Sequence, residues 1–378
     1  MTNRFLLAVV LAAAAGCAAA TVRRTEESKG PAHPGGVLQI AWRVSLHDHG
    51  LFEPAPEECA SGALSAGRLV IGSRAGAVAG IQPSNGHVDW LTPVSGGVDS
   101  AARFDPDRGQ VYLGADDGSF YAIDPANGGI RWTYRGKGAI ERPPELGGDL
   151  VYTTTAADRV VALEAATGKW RWQYERDMPE GFTIHGYAGP LLDGGQLLTG
   201  FADGYFVALS AVSGDVVWAR SLAAASDQFV DVDSTPALLG DVAYVSSYSG
   251  GLYAVDPRDG AVRWRLAIEG VGDVSATDGH LYFVAPRQGL HAIEPDGRVI
   301  WRQGLTEAGD VTRPVGLGRY LVFSGSRAGL FVVDRESGAL IETFNPGYGI
   351  CASATVDPSS NRLFVLSNGG ALYALDLL

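Results

Sequence analysis

Only three of the 378 residues are cysteine, and none sits in a Cys-x-x-Cys-His motif, which excludes a covalently attached c-type haem. No long basic run occurs and the formal net charge is −13, which argues against a phosphate-backbone partner. Beyond the first sixteen residues no stretch is long and apolar enough to cross a bilayer as a helix. No Ser/His/Asp set and no phosphate-cradling Gly loop stands at a recognisable spacing. His47 and His49 flank Asp48 on one extended segment, but no third metal ligand accompanies them. Abundance lies elsewhere: Gly fills 51 positions, nearly twice its usual share, alongside many Tyr, Trp, Val and Leu. That composition suits many short strands joined by Gly turns.

The N-terminus reads as an export signal. Arg4 supplies a minimal positive region, and residues 5–15 form an apolar stretch of signal-peptide length. It ends in Ala14-Ala15-Gly16-Cys17, which resembles the lipobox of bacterial lipoproteins, with Ala14 where Leu is usual. That resemblance implies cleavage after residue 16 and lipid on Cys17; an ordinary secretory signal cut near 18–20 is the alternative. The residues after Cys17 are Ala18 and Ala19, without the Asp of an inner-membrane retention signal, so the outer membrane is the expected destination. Residues 17–36, rich in Ala, Thr, Arg, Gly and Pro, read as a flexible tether, and 37–378 as the folded part.

One unit recurs through that folded part. Residues 118–132, Gly-Ser-Phe-Tyr-Ala-Ile-Asp-Pro-Ala-Asn-Gly-Gly-Ile-Arg-Trp, predict a strand, a tight turn and a second strand ending on an indole. Sister copies run from 76 to 90, 158 to 172, 204 to 218 and 250 to 264, all with the same end-to-end spacing. A sixth copy, 289–301, is one residue shorter at Pro295-Asp296-Gly297. The seventh, 328–342, has Glu342 in place of Trp. The eighth begins at Gly370 and reaches Leu378 with no outer strand and no Trp. Residues 37–46 form an unpaired strand carrying Trp42, the missing piece.

A further strand and a Pro-containing segment precede each copy, making four strands per roughly forty residues, the β-propeller signature. Trp42, Trp90, Trp132, Trp172, Trp218, Trp264, Glu342 and Trp301 count out eight blades, and closure by the N-terminal strand removes two open sheet edges. The expected fold is therefore all-β: an eight-bladed propeller of four-stranded antiparallel blades.

The recurring Ala-[Leu/Ile/Val]-[Asp/Glu]-x-x-[Ser/Thr/Asn]-Gly-x-x-x-Trp, as at 122–132 and 162–172, resembles the tryptophan-docking repeat of PQQ-type propellers, in which the indole packs on the turn of a neighbouring blade. Two classes carry that repeat. Quinone-dependent dehydrogenases are longer, and many have adjacent cysteines against the cofactor; this chain has no Cys-Cys pair, and no Glu/Asn/Asp set resembles their calcium site. It fits better the lipoprotein scaffold family of the outer-membrane β-barrel assembly machinery, BamB. Asp231-Val-Asp233-Ser-Thr-Pro236 is similar to that family's Asp-Val-Asp-Thr-Thr-Pro loop, and residues 177–186 to its Asp-Met-Pro…Leu-x-Leu-Arg-Gly loop.

That resemblance implies no catalytic residue, cofactor or metal. It implies a monomer within a multi-protein complex, docking on a periplasmic domain of the central barrel protein and aiding nascent outer-membrane proteins. The matching contact positions are Phe182, Ile184, His185, Asp231 and Asp233. His185 stands where the family has Arg, losing a permanent charge and a bidentate fork. The two aspartates have a plain structural alternative, satisfying turn N–H groups. A PQQ-dependent enzyme and a cell-surface binding protein of unrelated role remain the other readings.

Two further patterns come from aligning the copies. Glu58, Asp99, Glu141, Asp231, Asp273 and Asp310 recur at the start of successive inner strands, a candidate carboxylate ring or a solvated rim. Cys59 and Cys351 fall at the same place in the first and eighth blades. They become neighbours only if the ring closes, so in an exported protein a disulfide across the seam is expected, two free buried thiols being the alternative.

Overall fold

The computed structural model describes residues 23–25, 30–31, 36–46, 57–65, 67–177, 187–223, 229–305 and 308–378. The recurring unit folds as an antiparallel strand pair. In the copy at 118–132, Ser119–Ile123 pairs with Ile130–Arg135, and the turn Gly128 has φ +74°. Only a residue without Cβ adopts that conformation cheaply. The same pairing, with a register shift opposite the indole, or opposite Glu342 in blade 7, occurs in every blade.

Eight antiparallel sheets result. Blades 1 to 7 span 63–93, 103–135, 145–175, 191–221, 237–266, 275–303 and 315–344. Blade 8 combines Thr355–Asp357, Arg362–Leu366 and Ala371–Leu377 with the N-terminal strand Leu38–Ser45, where Trp42 lies opposite Ala374. The second and third strands of each blade are buried on both faces, while the outer strand alternates toward solvent. Short first strands of neighbouring blades approach one another, and Ser61 bridges Ala101 between blades 1 and 2, which puts these strands around the axis. Connections from each outer strand to the next inner strand share one face of the ring with the turns between second and third strands. This is called the upper face below.

The tryptophans are the blade-to-blade fasteners. Each indole lies opposite a small residue of its own blade, Gly80 or an Ala such as Ala122. It rests on the turn glycine of the next blade, as Trp132 does on Gly168 and Trp172 on Gly214. Each also donates its N–H to a carbonyl of that turn: Trp42 to Pro83, Trp90 to Pro125, Trp132 to Ala165, Trp172 to Ala211, Trp218 to Pro257, Trp264 to Pro295 and Trp301 to Arg335, at 2.9–3.1 Å. The buried N–H is thereby satisfied. The turn glycine thus has two reasons to be glycine, its left-handed φ and the indole above it.

Glu342 breaks the pattern for a visible reason. Blade 8 has no turn between its third and outer strands, because those strands come from opposite ends of the chain. The buried Glu342 carboxylate instead accepts the N–H groups of Val37 and Leu38 at 2.6 and 2.9 Å. Val332, rather than Ala or Gly, stands opposite it. A Cβ on Gly36 would strike this carboxylate.

At the seam Cys59 and Cys351 form a disulfide, with Cα atoms 5.0 Å apart. Ser61 Oγ donates to the Ser353 carbonyl, Gly62 N–H to Thr355 Oγ1, and the Arg362 guanidinium to the Pro83 carbonyl while clasping Asp376. Blade 8 departs from four strands. Arg23–Thr25 and Gly30–Pro31 pair along the outer edge of Leu38–Ser45. Within the span expected as a flexible tether, these two short segments contribute backbone to the sheet and cover part of its outer edge. Cys17 lies outside the described residues.

Candidate docking surface at the channel mouth

The segments that lead into the inner strands of blades 3, 4 and 5 meet on the upper face. Their junction is Arg142. Its Nε donates to the Tyr187 carbonyl at 2.6 Å and its Nη2 to the Asp233 carbonyl at 3.0 Å. Its Nη1 lies 3.6 Å from Asp273 Oδ2 of blade 6, and the guanidinium stands over the Tyr187 ring at 5.7 Å. One side chain of blade 3 thus touches blades 4, 5 and 6. Because all five guanidinium N–H groups point outward in a plane, Arg suits such a junction where Lys would not. Neighbouring bonds stiffen it. The Tyr187 hydroxyl accepts the Glu141 N–H at 2.8 Å and donates to the Ala139 carbonyl at 3.2 Å. Asp273 Oδ1 accepts the Thr235 N–H at 2.7 Å, and Thr235 Oγ1 accepts the Gly189 N–H at 3.1 Å.

Asp231 and Asp233 are not equivalent. Asp231 is buried at 1% exposure, and its backbone carbonyl accepts the Tyr248 N–H at 3.1 Å. Asp233 is half-buried. Burial pushes its carboxyl up to about 6, against the pull of Arg142 and with Asp273 and Asp231 adding to the rise. Asp158, at the upper-face turn of blade 3, is likewise raised to about 6 by burial. It holds φ +51° where sister copies have Gly and accepts the Ala202 N–H, so its polar side chain compensates for the left-handed backbone. Arg176 beside it brings Nε and Nη2 to the one Asp203 oxygen, Oδ2, each at 2.6 Å, and lies 4.3 Å from the Tyr205 ring centroid.

Phe182, Ile184 and His185 lie outside the described residues, as do His47 and His49. Tyr187, at the described end of the loop that carries Phe182, Ile184 and His185, joins the site directly. The recurring carboxylates precede the inner strands rather than starting them, except that Glu145, not Glu141, opens the strand of blade 3. Most serve local bonds. Glu58 takes the Ser73 hydroxyl and the Arg74 N–H, and Asp99 lies 3.3 Å from Arg74. Among the described residues no three His, Cys, Asp or Glu side chains converge as a metal site.

Arg142 and Tyr187 escaped the sequence reading, though one signal was present. The position after the recurring carboxylate is Cys59, Ser100, Val232, Val274 and Val311 in other blades. A long cation in that small-residue column marks the blade that reaches across the mouth.

A sequence profile described as outer membrane protein assembly factor BamB matches residues 39–138 and 104–296. The chain belongs to the BamB family. It is 29% identical over 359 residues to BamB of Vibrio cholerae, covering 90% of this chain and 89% of that protein. To BamB of Yersinia pestis it is 26% identical over 242 residues, 62% of this chain and 61% of that one. To BamB of Legionella pneumophila it is 29% identical over 196 residues, half of each chain. The matches to the latter two relatives therefore span about half to three-fifths of their length. Among solved structures, BamB from Moraxella catarrhalis superposes with a TM-score of 0.76 at 23% identity, covering 90% of this chain and all of that one. A quinohemoprotein alcohol dehydrogenase from Comamonas testosteroni does so at 0.70 and 14% identity, over 92% of this chain and 78% of the enzyme. These two likenesses show the fold, which family member and enzyme share.

Proposed function

We propose that this chain is a non-catalytic scaffold of the outer-membrane β-barrel assembly machinery. Lipid on Cys17 holds it at the periplasmic face of the outer membrane, and the channel mouth at blades 3–5 docks on a periplasmic domain of the central barrel-assembly protein. The observation that carries this reading is that Tyr187, at the described end of one family loop, and the other family loop, 231–235, are joined through Arg142 and Thr235 although far apart in sequence. Groups held by these bonds before the partner arrives lose little conformational freedom on binding, which favours recognition. Phe182, Ile184, His185 and Asp233 then supply contact groups, with Asp231 as support. Sheet edges and mouth loops guide nascent barrel strands in this scheme.

Affinity purification from solubilised outer membranes tests it. The central barrel protein should co-purify with the unmutated chain and be depleted with Arg142→Ala or Asp233→Ala. Failure of the unmutated chain to recover it refutes the scaffold role. Tight, saturable binding of pyrroloquinoline quinone in a titration would instead favour the enzyme.

A further inference from the structure

Beside the acidic mouth stands an exposed aromatic pair that the loop comparison does not include. Phe229 and Tyr248 lie with ring centroids 6.0 Å apart and remain 39% and 42% exposed. Phe229 has φ +55°, an uncommon backbone state that costs a bulky residue of order 1 kcal/mol or more. The strain is held by the blade around it. Ser249 N–H donates to the Phe229 carbonyl and Tyr248 N–H to the Asp231 carbonyl, both at 3.1 Å, and Gly270 N–H to the Tyr248 carbonyl at 2.9 Å. On the far side Val230 packs on Gly204 of blade 4. A fold that keeps a strained aromatic facing solvent gains nothing in stability from it, and Gly at this position would remove the strain.

We infer that Phe229 and Tyr248 are the apolar anchor of this docking surface, and that it receives a segment presenting an aromatic or aliphatic side chain next to a Lys or Arg. The inference rests on the scaffold reading above. Charge selects the basic neighbour. Around the mouth stand Asp158, Asp203, Asp231, Asp233 and Asp273 against Arg142, Arg176 and Arg313. Arg176 is taken by Asp203 and Arg142 by Asp273. Among the described residues Asp158 and Asp233 have no ion-pair partner, so a cation reaching the mouth meets desolvated carboxylates. An aromatic anchor flanked by charge is the usual make-up of a binding hot spot, and the carboxylates raise the encounter rate with a basic partner.

The test measures binding of the full chain to the purified periplasmic region of the same organism's central barrel-assembly protein, by biolayer interferometry at low and high salt. Phe229→Gly should weaken binding at least tenfold while leaving the melting temperature equal or higher, a split that loss of folding does not produce. Tyr248→Ala should weaken it similarly, and Asp233→Asn should flatten the salt dependence. Val212→Ala, on the opposite face, should leave affinity unchanged. Binding by Phe229→Gly and Tyr248→Ala within twofold of the parent overturns the anchor and leaves the scaffold reading standing. If the parent itself does not bind, the scaffold reading fails and the anchor falls with it.

Discussion

Removing the seam disulfide with Cys59→Ala and Cys351→Ala, in a Cys17→Ser background, should lower stability without altering the native ring. The cross-link closes a loop of 292 positions, and the chain-entropy relation assigns such a loop about 5.7 kcal/mol at 25 °C. The native side of the seam has other support. The hydrogen bonds of Ser61, Gly62 and Arg362 and the pairing of Leu38–Ser45 with Ala371–Leu377 all persist without the sulfurs. The loss therefore falls on the unfolded chain, which gains freedom. With an unfolding entropy of about 2.1 cal/mol/K per residue over roughly 340 residues, the midpoint should drop by about 8 °C at most. Differential scanning calorimetry measures the drop, far-UV circular dichroism the unchanged fold, and reductant on the parent should reproduce the shift. A drop under about 1 °C refutes the entropic argument. Two reactive thiols in the unreduced, unfolded Cys17→Ser parent refute the cross-link itself.

Other perturbations follow from the same geometry. Glu342→Ala should cost about 2–4 kcal/mol by orphaning the Val37 and Leu38 N–H groups, seen as a lower midpoint and faster proteolysis of the N-terminal strand. Glu342→Trp restores the repeat's usual residue but should not restore stability, because Val332 occupies the indole's space; equal stability would refute the reason given for the exception. The raised carboxyls of Asp158 and Asp233 bear on pH. With folded values of about 6 above the unfolded value of about 4, their contribution is complete below pH 4 and is lost as pH rises through 6. Thermal melts of Asp158→Asn/Asp233→Asn between pH 4 and 7 should lose that downward slope, and an unchanged slope counts against the burial argument.

Much of the ring was legible because its unit is local. A hairpin writes its turn glycine and its indole four residues apart, inside a unit whose ends are fourteen apart, and period alone then counts the blades. The seam was legible too, since aligning the copies placed Cys59 over Cys351. What escaped depends on neighbours distant in sequence. Glu342 looked like a lapse in the repeat until Val37 and Leu38 met it from 304–305 residues away. Asp231 and Asp233 look alike in one dimension, yet in the fold one is buried and the other half-buried. Arg142 reads as one more surface cation unless the column of small residues above and below it is noticed.

The odd fastener also sets an order in time. Strand Leu38–Ser45 is made long before its partner Ala371–Leu377 and its clasp at Glu342. Throughout synthesis its apolar face waits while blades 1 to 7 acquire similar outer edges, each a plausible wrong partner. Those edges follow a third strand already joined to them by a tight hairpin turn. Only the final blade offers an unclaimed strand with a carboxylate beside it. A single acidic side chain in a column of indoles is thus an address, telling the beginning of the chain where the end is.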